Sequence, residues 1–223
     1  MKLWTKIIAG AESRKTRLHD ASGERVSLSR LVRNGPRAFA SAVGRAAFGL
    51  QPERPWISYD AARELARRIG PATRVLEFGS GMSTLWLAQR VGLLVSVEDH
   101  AGWHTLVSRK LGAAADKVEY RLATTREEYL AAADGREFDL ILVDGKWRGD
   151  CVAVGLAHIA PGGILYLDNA DHGAGGSAGD VPQGVGLMEE AARTSGWRLT
   201  RFTDFAPTSF FAQAALMLER TKD

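Results

Sequence analysis

Glu77, Gly79 and Gly81 alternate through Val75-Leu76-Glu77-Phe78-Gly79-Ser80-Gly81-Met82-Ser83-Thr84, and Glu98 follows 19 residues after Gly79. An apolar run that ends in Gly-x-Gly before a helix-prone stretch reads as a strand, a tight turn and a helix from about Ser83 to Val91. N–H groups at such a helix start can hold a polar or anionic group. Glu98, closing the next apolar run, can accept hydrogen bonds from both hydroxyls of a ribose. A dinucleotide site uses the same devices, but its third glycine would fall at Thr84. Glu77 would moreover repel a pyrophosphate, and it suits a cationic ligand. A second set of polar residues follows later strands: Asp144-Gly145-Lys146, Asp168-Asn169 and Asp171-His172. Ligands of open α/β sheets bind beyond the carboxyl ends of the strands, where these groups would converge.

The elements that must position them are legible as a pattern. Ser58 can cap a helix over Tyr59–Ile69, which Gly70-Pro71 stops. Apolar runs at Arg74–Phe78, Leu93–Glu98, Val118–Leu122, Phe138–Asp144 and Ile164–Asp168 alternate with helix-length segments. That alternation predicts a doubly wound, mostly parallel sheet with helices on both faces. Trp197–Phe205 and Phe210–Leu218 are joined by too short a connection for a helix, so they form an antiparallel hairpin. The fold class is therefore α/β and Rossmann-like, with seven strands and a C-terminal antiparallel hairpin. Asn169–Gly186 holds six glycines and reads as a lid.

Of the 223 residues, 45% are hydrophobic and 25% charged, a globular balance long enough to bury a sizeable core. The single cysteine, Cys151, excludes an internal disulfide framework, and no Cys/His cluster suggests a zinc finger. No 18-residue apolar run and no signal-like start are present, so a reducing, cytoplasmic setting is the expectation. Charge divides the chain. Residues 1–50 carry 10 Lys/Arg against 3 Asp/Glu, whereas residues 51–223 carry 19 against 23. Two domains of unequal kind follow: a basic, helical N-terminal extension over 1–50 and a ligand-binding body over 51–223. In the extension Phe39, Val43, Ala46/Ala47 and Leu50 fall at helical spacing behind Pro36, placed at the helix start. This helix can cover the body, meet a partner or lie on an anionic membrane surface. Nucleic acid is not an expected partner, because the body is net acidic.

These motifs resemble the class I S-adenosylmethionine-dependent methyltransferases, over about residues 56–220. The turn at 77–84 looks like their first motif and Val97-Glu98-Asp99 like the acidic end of their second strand. Arg54-Pro55-Trp56-Ile57-Ser58, Val143-Asp144-Gly145 and Tyr166-Leu167-Asp168-Asn169 are similar to bacterial methyltransferase-like proteins associated with glycan or polysaccharide biosynthesis. The resemblance implies S-adenosylmethionine as cofactor. Glu77 and Gly79 would lie near its methionine part, and Ser80, Gly81, Ser83 and Thr84 would shape the turn. Glu98 would hold the ribose, Asp99 and His100 would lie beside the adenosine, and Ala123 and Thr124 would border the adenine.

Methylation of an oxygen on a small-molecule or glycan acceptor is the implied reaction. Asp144-Gly145-Lys146-Trp147 stands where nitrogen-methylating relatives carry an Asn/Asp-Pro-Pro-Tyr-like motif. An acceptor hydroxyl needs a base or a cation beside it. In one arrangement, similar to catechol-type O-methyltransferases, Asp144, Asp168 and Asn169 hold Mg²⁺ or another divalent ion. Lys146 then takes the proton, although it stands two residues after the Asp rather than that family's three. In a second there is no metal, and His172 or Asp168 is the base. In a third, Asp168 and Asn169 only hydrogen-bond the loop. Two different classes stand beside this reading: an NAD-binding oxidoreductase, and an inactive methyltransferase-like scaffold. A homo-oligomer is compatible with all of them.

Overall fold

A computed structural model of the chain describes residues 14–172 and 179–222. In chain order the helices and strands are α1 (Leu28–Phe48), α2 (Tyr59–Arg68), β1 (Arg74–Phe78), α3 (Met82–Ala88), β2 (Leu93–Glu98), α4 (Ala101–Leu111) and β3 (Val118–Leu122). They continue with α5 (Arg126–Leu130), β4 (Phe138–Val143), α6 (Arg148–His158), β5 (Ile159–Leu167), α7 (Val181–Ser195), β6 (Arg198–Asp204) and β7 (Gln213–Glu219).

The strands form one seven-stranded sheet in the order β3-β2-β1-β4-β5-β7-β6. β1 through β5 are mutually parallel, and β7 runs antiparallel to both β5 and β6. The doubly wound sheet and its reversed hairpin are therefore present as the apolar runs predict. Both sheet faces are apolar: Leu76, Phe78, Ile141 and Leu165 pack into one core, and Val75, Leu94, Leu140 and Tyr166 into the other. Strands buried on both faces read as continuous hydrophobic runs, which is why they stand out. β1 and β4 are neighbours whose chains leave toward opposite edges, so the sheet's switch point lies between their carboxyl ends.

The N-terminal helix begins earlier than expected. α1 starts at Leu28, with the Ser27 hydroxyl accepting from Arg30 N–H at 3.4 Å, and Pro36 lies inside it. Proline there frees the Val32 carbonyl, and Val32 is 70% exposed, so water can satisfy it. The stripe that carries the apolar period also faces solvent. Phe39, Val43 and Leu50 are exposed, and the buried residues of α1 are Asn34, Gly35 and Ala38.

Three buried carboxylates hold the N-terminal segment against the sheet. Asp204 on β6 accepts from Asn34 Nδ2 at 2.9 Å, from Ser58 Oγ and from Asp60 N–H. Asp20 accepts from Arg201 and Thr203 of β6. Asp171 accepts from Arg14, from Ala21 N–H and from Ala214 N–H.

The glycine-rich stretch also divides differently. Residues 173–178 of the expected lid lie outside the described residues. Val181–Gly186 are the start of α7, not loop. Gly184 is there for packing: a Cβ at that position would meet Val152 Cγ2 at 3.2 Å and Gly149 Cα at 3.4 Å.

Candidate active site

The β1 turn is built around close backbone approach. Gly79 has φ +94°, and a Cβ on it would run into the backbone of Gly145 and lie 2.8 Å from the Asp144 carbonyl carbon. A Cβ on Gly145 would in turn lie 2.8 Å from Gly79 Cα and strike the Tyr129 hydroxyl. The two loops after β1 and β4 thus touch, backbone to backbone. Gly81 is different: its φ of 177° is extended backbone, and an added Cβ meets nothing nearer than 3.8 Å.

Four carboxylates stand at the carboxyl ends of four adjacent strands: Glu77 on β1, Glu98 on β2, Asp144 after β4 and Asp168 after β5. Glu77 is fully buried. Its Oε2 accepts from Thr84 Oγ1 and Ser96 Oγ, both at 2.6 Å, while its Oε1 has no hydrogen-bond partner among the described residues. Burial pushes its pKa up to about 7. The Ser83, Ser96 and Thr84 hydroxyls oppose that rise, and the Asp144 charge adds to it. Thr84 also accepts from Gly81 N–H at 2.9 Å, so one hydroxyl fixes both the turn and the acid.

Glu98 bridges two turns. Its Oε2 accepts from Ser80 N–H at 3.0 Å and Ser80 Oγ at 2.7 Å. Its Oε1 accepts from Asp99 N–H at 3.1 Å and His100 N–H at 2.9 Å. Tyr120 shares the Ser80 hydroxyl at 2.6 Å, and Trp103 Nε1 donates to the Ser80 carbonyl at 2.7 Å. His100 caps α4 by accepting from Trp103 N–H at 3.1 Å.

On the other side of the switch point, burial raises the proton affinity of Asp144, and Glu98 adds to it; Arg148 pulls the other way. Asp168 is raised well above its usual range, first by burial and then by the Asp144 charge. It is 2% exposed, and the Tyr166 hydroxyl donates to its Oδ1 at 2.8 Å. Lys146 Nζ lies 3.4 Å from Asp99 Oδ2 and over the Trp147 ring, which ties the β2 and β4 loops together. His172 is exposed just past the Asn169 turn. Its pKa is held below the usual value by partial burial, Arg148 and Arg14, against Asp171. Trp147 and Asn169 both adopt left-handed backbone, with φ near +48° and +47°.

Of the residues singled out from sequence, Glu77, Ser80, Glu98, Asp99, Lys146 and Asp144 are brought together around the switch point. Thr124 stands apart: its side chain is exposed beyond β3. The central residue that sequence offered only as an attractor of an anionic acceptor is Arg148, the first of α6, whose guanidinium reaches Asp144 Oδ1 at 3.1 Å and Asn169 Oδ1 at 3.1 Å. The signal was there, as an acid and a base four apart at a helix start. Ser96 and Tyr120, which hold Glu77 and Ser80, carry no such signal, because only the sheet register brings them in.

No protein-family model and no curated protein matches the chain. Solved structures do. An O-methyltransferase from Streptomyces achromogenes involved in tomaymycin synthesis, in complex with SAM, is 23% identical, with TM-score 0.59, over 83% of this chain and 89% of that one. An O-methyltransferase from Bacillus cereus in complex with SAH is 20% identical, with TM-score 0.60, over 86% and 94%. A putative O-methyltransferase from Klebsiella pneumoniae is 20% identical, with TM-score 0.59, over 87% and 94%. At these identities the likeness establishes the fold, a Rossmann-like methyltransferase fold.

Proposed function

We propose that the chain is an S-adenosylmethionine-dependent methyltransferase acting on an oxygen of a small-molecule acceptor, with glycans among the candidates. The observation that carries this is the convergence of Glu77, Glu98, Asp144 and Asp168 on one switch point, three of them with raised proton affinity. Glu77 and Glu98, which among the described residues accept from hydroxyls and backbone N–H groups and not from a cation, favour a cationic ligand and repel a pyrophosphate. That favours a sulfonium and ammonium ligand over NAD. Buried Glu77, whose Oε1 has no hydrogen-bond partner among the described residues, fits the same conclusion.

When bound, S-adenosylmethionine supplies a methyl group on a sulfonium. The turn at 79–84 and the α3 N-terminus would hold its amino-acid end, and Glu98 its ribose, once Ser80 yields a lone pair. Asp144, which is partly exposed beside Arg148, and His172, whose lowered pKa keeps it uncharged near neutrality, are placed to take the acceptor's proton. Asp168, sealed by Tyr166, orients the loop after β5. Residues 51–223 carry this chemistry, and residues 1–50 a separate contact.

Calorimetric titration tests the reading. We expect S-adenosylmethionine and S-adenosylhomocysteine to bind and NAD not to bind. Glu77 is neutral below about pH 7 and charged above it, and a cation prefers the charged form. Affinity for S-adenosylmethionine should therefore fall by up to about tenfold from pH 8 to pH 6. Affinity for the uncharged-sulfur product should fall less. Binding of NAD alone would overturn the assignment.

One observation favours an added membrane contact. Leu28, Val32, Phe39 and Val43 form an exposed apolar stripe on α1, within a segment of net charge +7. Such a helix suits an anionic lipid surface. No helix among the described residues is long and apolar enough to cross a membrane. We expect sedimentation with phosphatidylserine vesicles, weakened by salt, and loss of most binding in Leu28→Asp/Val32→Asp. A concentration-dependent dimer that the same pair abolishes, without vesicle binding, would assign the stripe to a second copy instead.

A further inference from the structure

We propose that Arg148 is the resident cation of this site, its guanidinium standing among Asp144, Asp168 and Asn169 where a divalent ion would otherwise be held. All five of its N–H donors are committed there. Nε donates to the Gly145 carbonyl at 2.9 Å. Nη1 donates to the Asp168 carbonyl at 2.9 Å and to Asn169 Oδ1 at 3.1 Å. Nη2 donates to the Asp144 carbonyl at 2.9 Å and to Asp144 Oδ1 at 3.1 Å. A guanidinium has five donors in a fixed planar fork, so none is left over.

The oxygens that sequence offered to a metal are thus shared out on a different cation. Asp144 Oδ1 and Asn169 Oδ1 face the guanidinium. Asp168 presents its carbonyl to it and turns its carboxylate to Tyr166. The Arg148 side chain is only 15% exposed, so solvent screens its charge little. A second cation placed on the same oxygens would meet that charge at short range. The residues present therefore do not fit a divalent ion.

Two properties follow. A guanidinium keeps its proton across the whole working pH range, and no chelator removes it. It also leaves no open coordination position, so an acceptor oxygen is not ligated. Arg148 acts by fixing Asp144 and the β5 loop, which makes it a positioning residue. The inference rests on the methyltransferase reading for what the cation serves, but not for where it sits.

Mn²⁺ binding to the full chain, followed by electron paramagnetic resonance, tests this without cofactor or acceptor. The wild-type chain should leave the free Mn²⁺ signal unchanged at millimolar metal. Arg148→Ala should bind Mn²⁺ at least about tenfold more tightly, because five oxygens lose their cation. Arg148→Gln, which keeps methylene packing and an amide donor, serves the same purpose if the alanine variant does not fold. Arg148→Lys keeps the charge and should stay silent, an outcome that a purely structural role does not predict. One tightly bound Mn²⁺ per wild-type chain would overturn the proposal, as would neutral variants that gain no Mn²⁺ affinity. Failure of S-adenosylmethionine to bind would sink the functional reading and leave the Mn²⁺ result standing.

Discussion

Gly79→Ala unfolds or severely destabilises the protein, whereas Gly81→Ala, two residues along the same turn, leaves it folded. At position 79 a methyl group meets the backbone of Gly145 and must adopt φ +94°. Left-handed backbone costs a non-glycine residue about 1–2 kcal/mol, and overpacking typically a further 1–3 kcal/mol. Neither obstacle can move aside, because Gly145 is itself pressed against Tyr129. The sum, between about 2 and 5 kcal/mol, is a large part of a domain's usual 5–15 kcal/mol. At position 81 the backbone is extended and the nearest atoms are 3.8 Å away. As Gly81 precedes the first turn of α3, alanine there costs about 1 kcal/mol or less. Urea denaturation of the two variants decides the point. Equal stabilities would mean that Gly79 answers to a ligand rather than to the β4 loop.

Glu98→Ala should abolish measurable cofactor binding, with affinity down by at least about 100-fold, or 2.7 kcal/mol. Its carboxylate gathers three backbone N–H groups and the Ser80 hydroxyl from two turns. Without it both turns lose their common acceptor, and the ribose loses its partner as well. Glu98→Gln should be nearly as harmful, because one of its two groups is a donor facing donors. Ser80→Ala makes the informative contrast. It removes only the hydroxyl that now fills a lone pair on Oε2, so cofactor affinity should hold or tighten. Calorimetry on the three variants separates the roles. A Ser80→Ala loss as large as that of Glu98→Ala would show that Ser80 itself carries the ligand.

How much of this was legible in the sequence varies by cause. β1, β2, β4 and β5 stood out because strands buried on both faces are near-continuous apolar runs. The reversed hairpin stood out because Pro207 and its neighbours leave no length for a helix. For α1 the stripe was legible and its partner was not. Its apolar period is real, but Leu28, Val32, Phe39 and Val43 are the solvent face, and the buried face carries Asn34, Gly35 and Ala38. Periodicity reports that a stripe exists and not which stripe meets the core, and here the core contact joins a polar bond, Asn34 to Asp204, with the apolar packing of Leu31 and Ala38. Pro36 then drew the helix start eight residues too late, past the Ser27 cap.

At the site, residue types were legible and pairings were not. Glu77, Glu98, Asp144 and Asp168 each end or follow a strand, so their convergence follows from topology. Gly79 was assigned to a ligand because glycine permits any close neighbour, and sequence cannot say that the neighbour is Gly145. Arg148 was left outside the site because its five acceptors come from two separate stretches, and four of those bonds end on groups of Gly145, Asp144 and Asp168 whose orientation only the fold decides.

The placement of β7 bears on how the chain is made. β7 follows β6 in sequence yet lies between β5 and β6 in the sheet. A ribosome therefore releases β1 through β5 as a sheet whose apolar edge at β5 stays open. β6 emerges next and cannot join the sheet alone, since among the described residues it pairs with β7 and not with β5. The sheet closes when β7 pairs with both neighbours and Ala212 and Ala214 bond Arg17 and Asp171. Until then the nascent chain exposes a ready-made strand edge, the kind of surface that chaperones guard and that mispairs when synthesis outruns them.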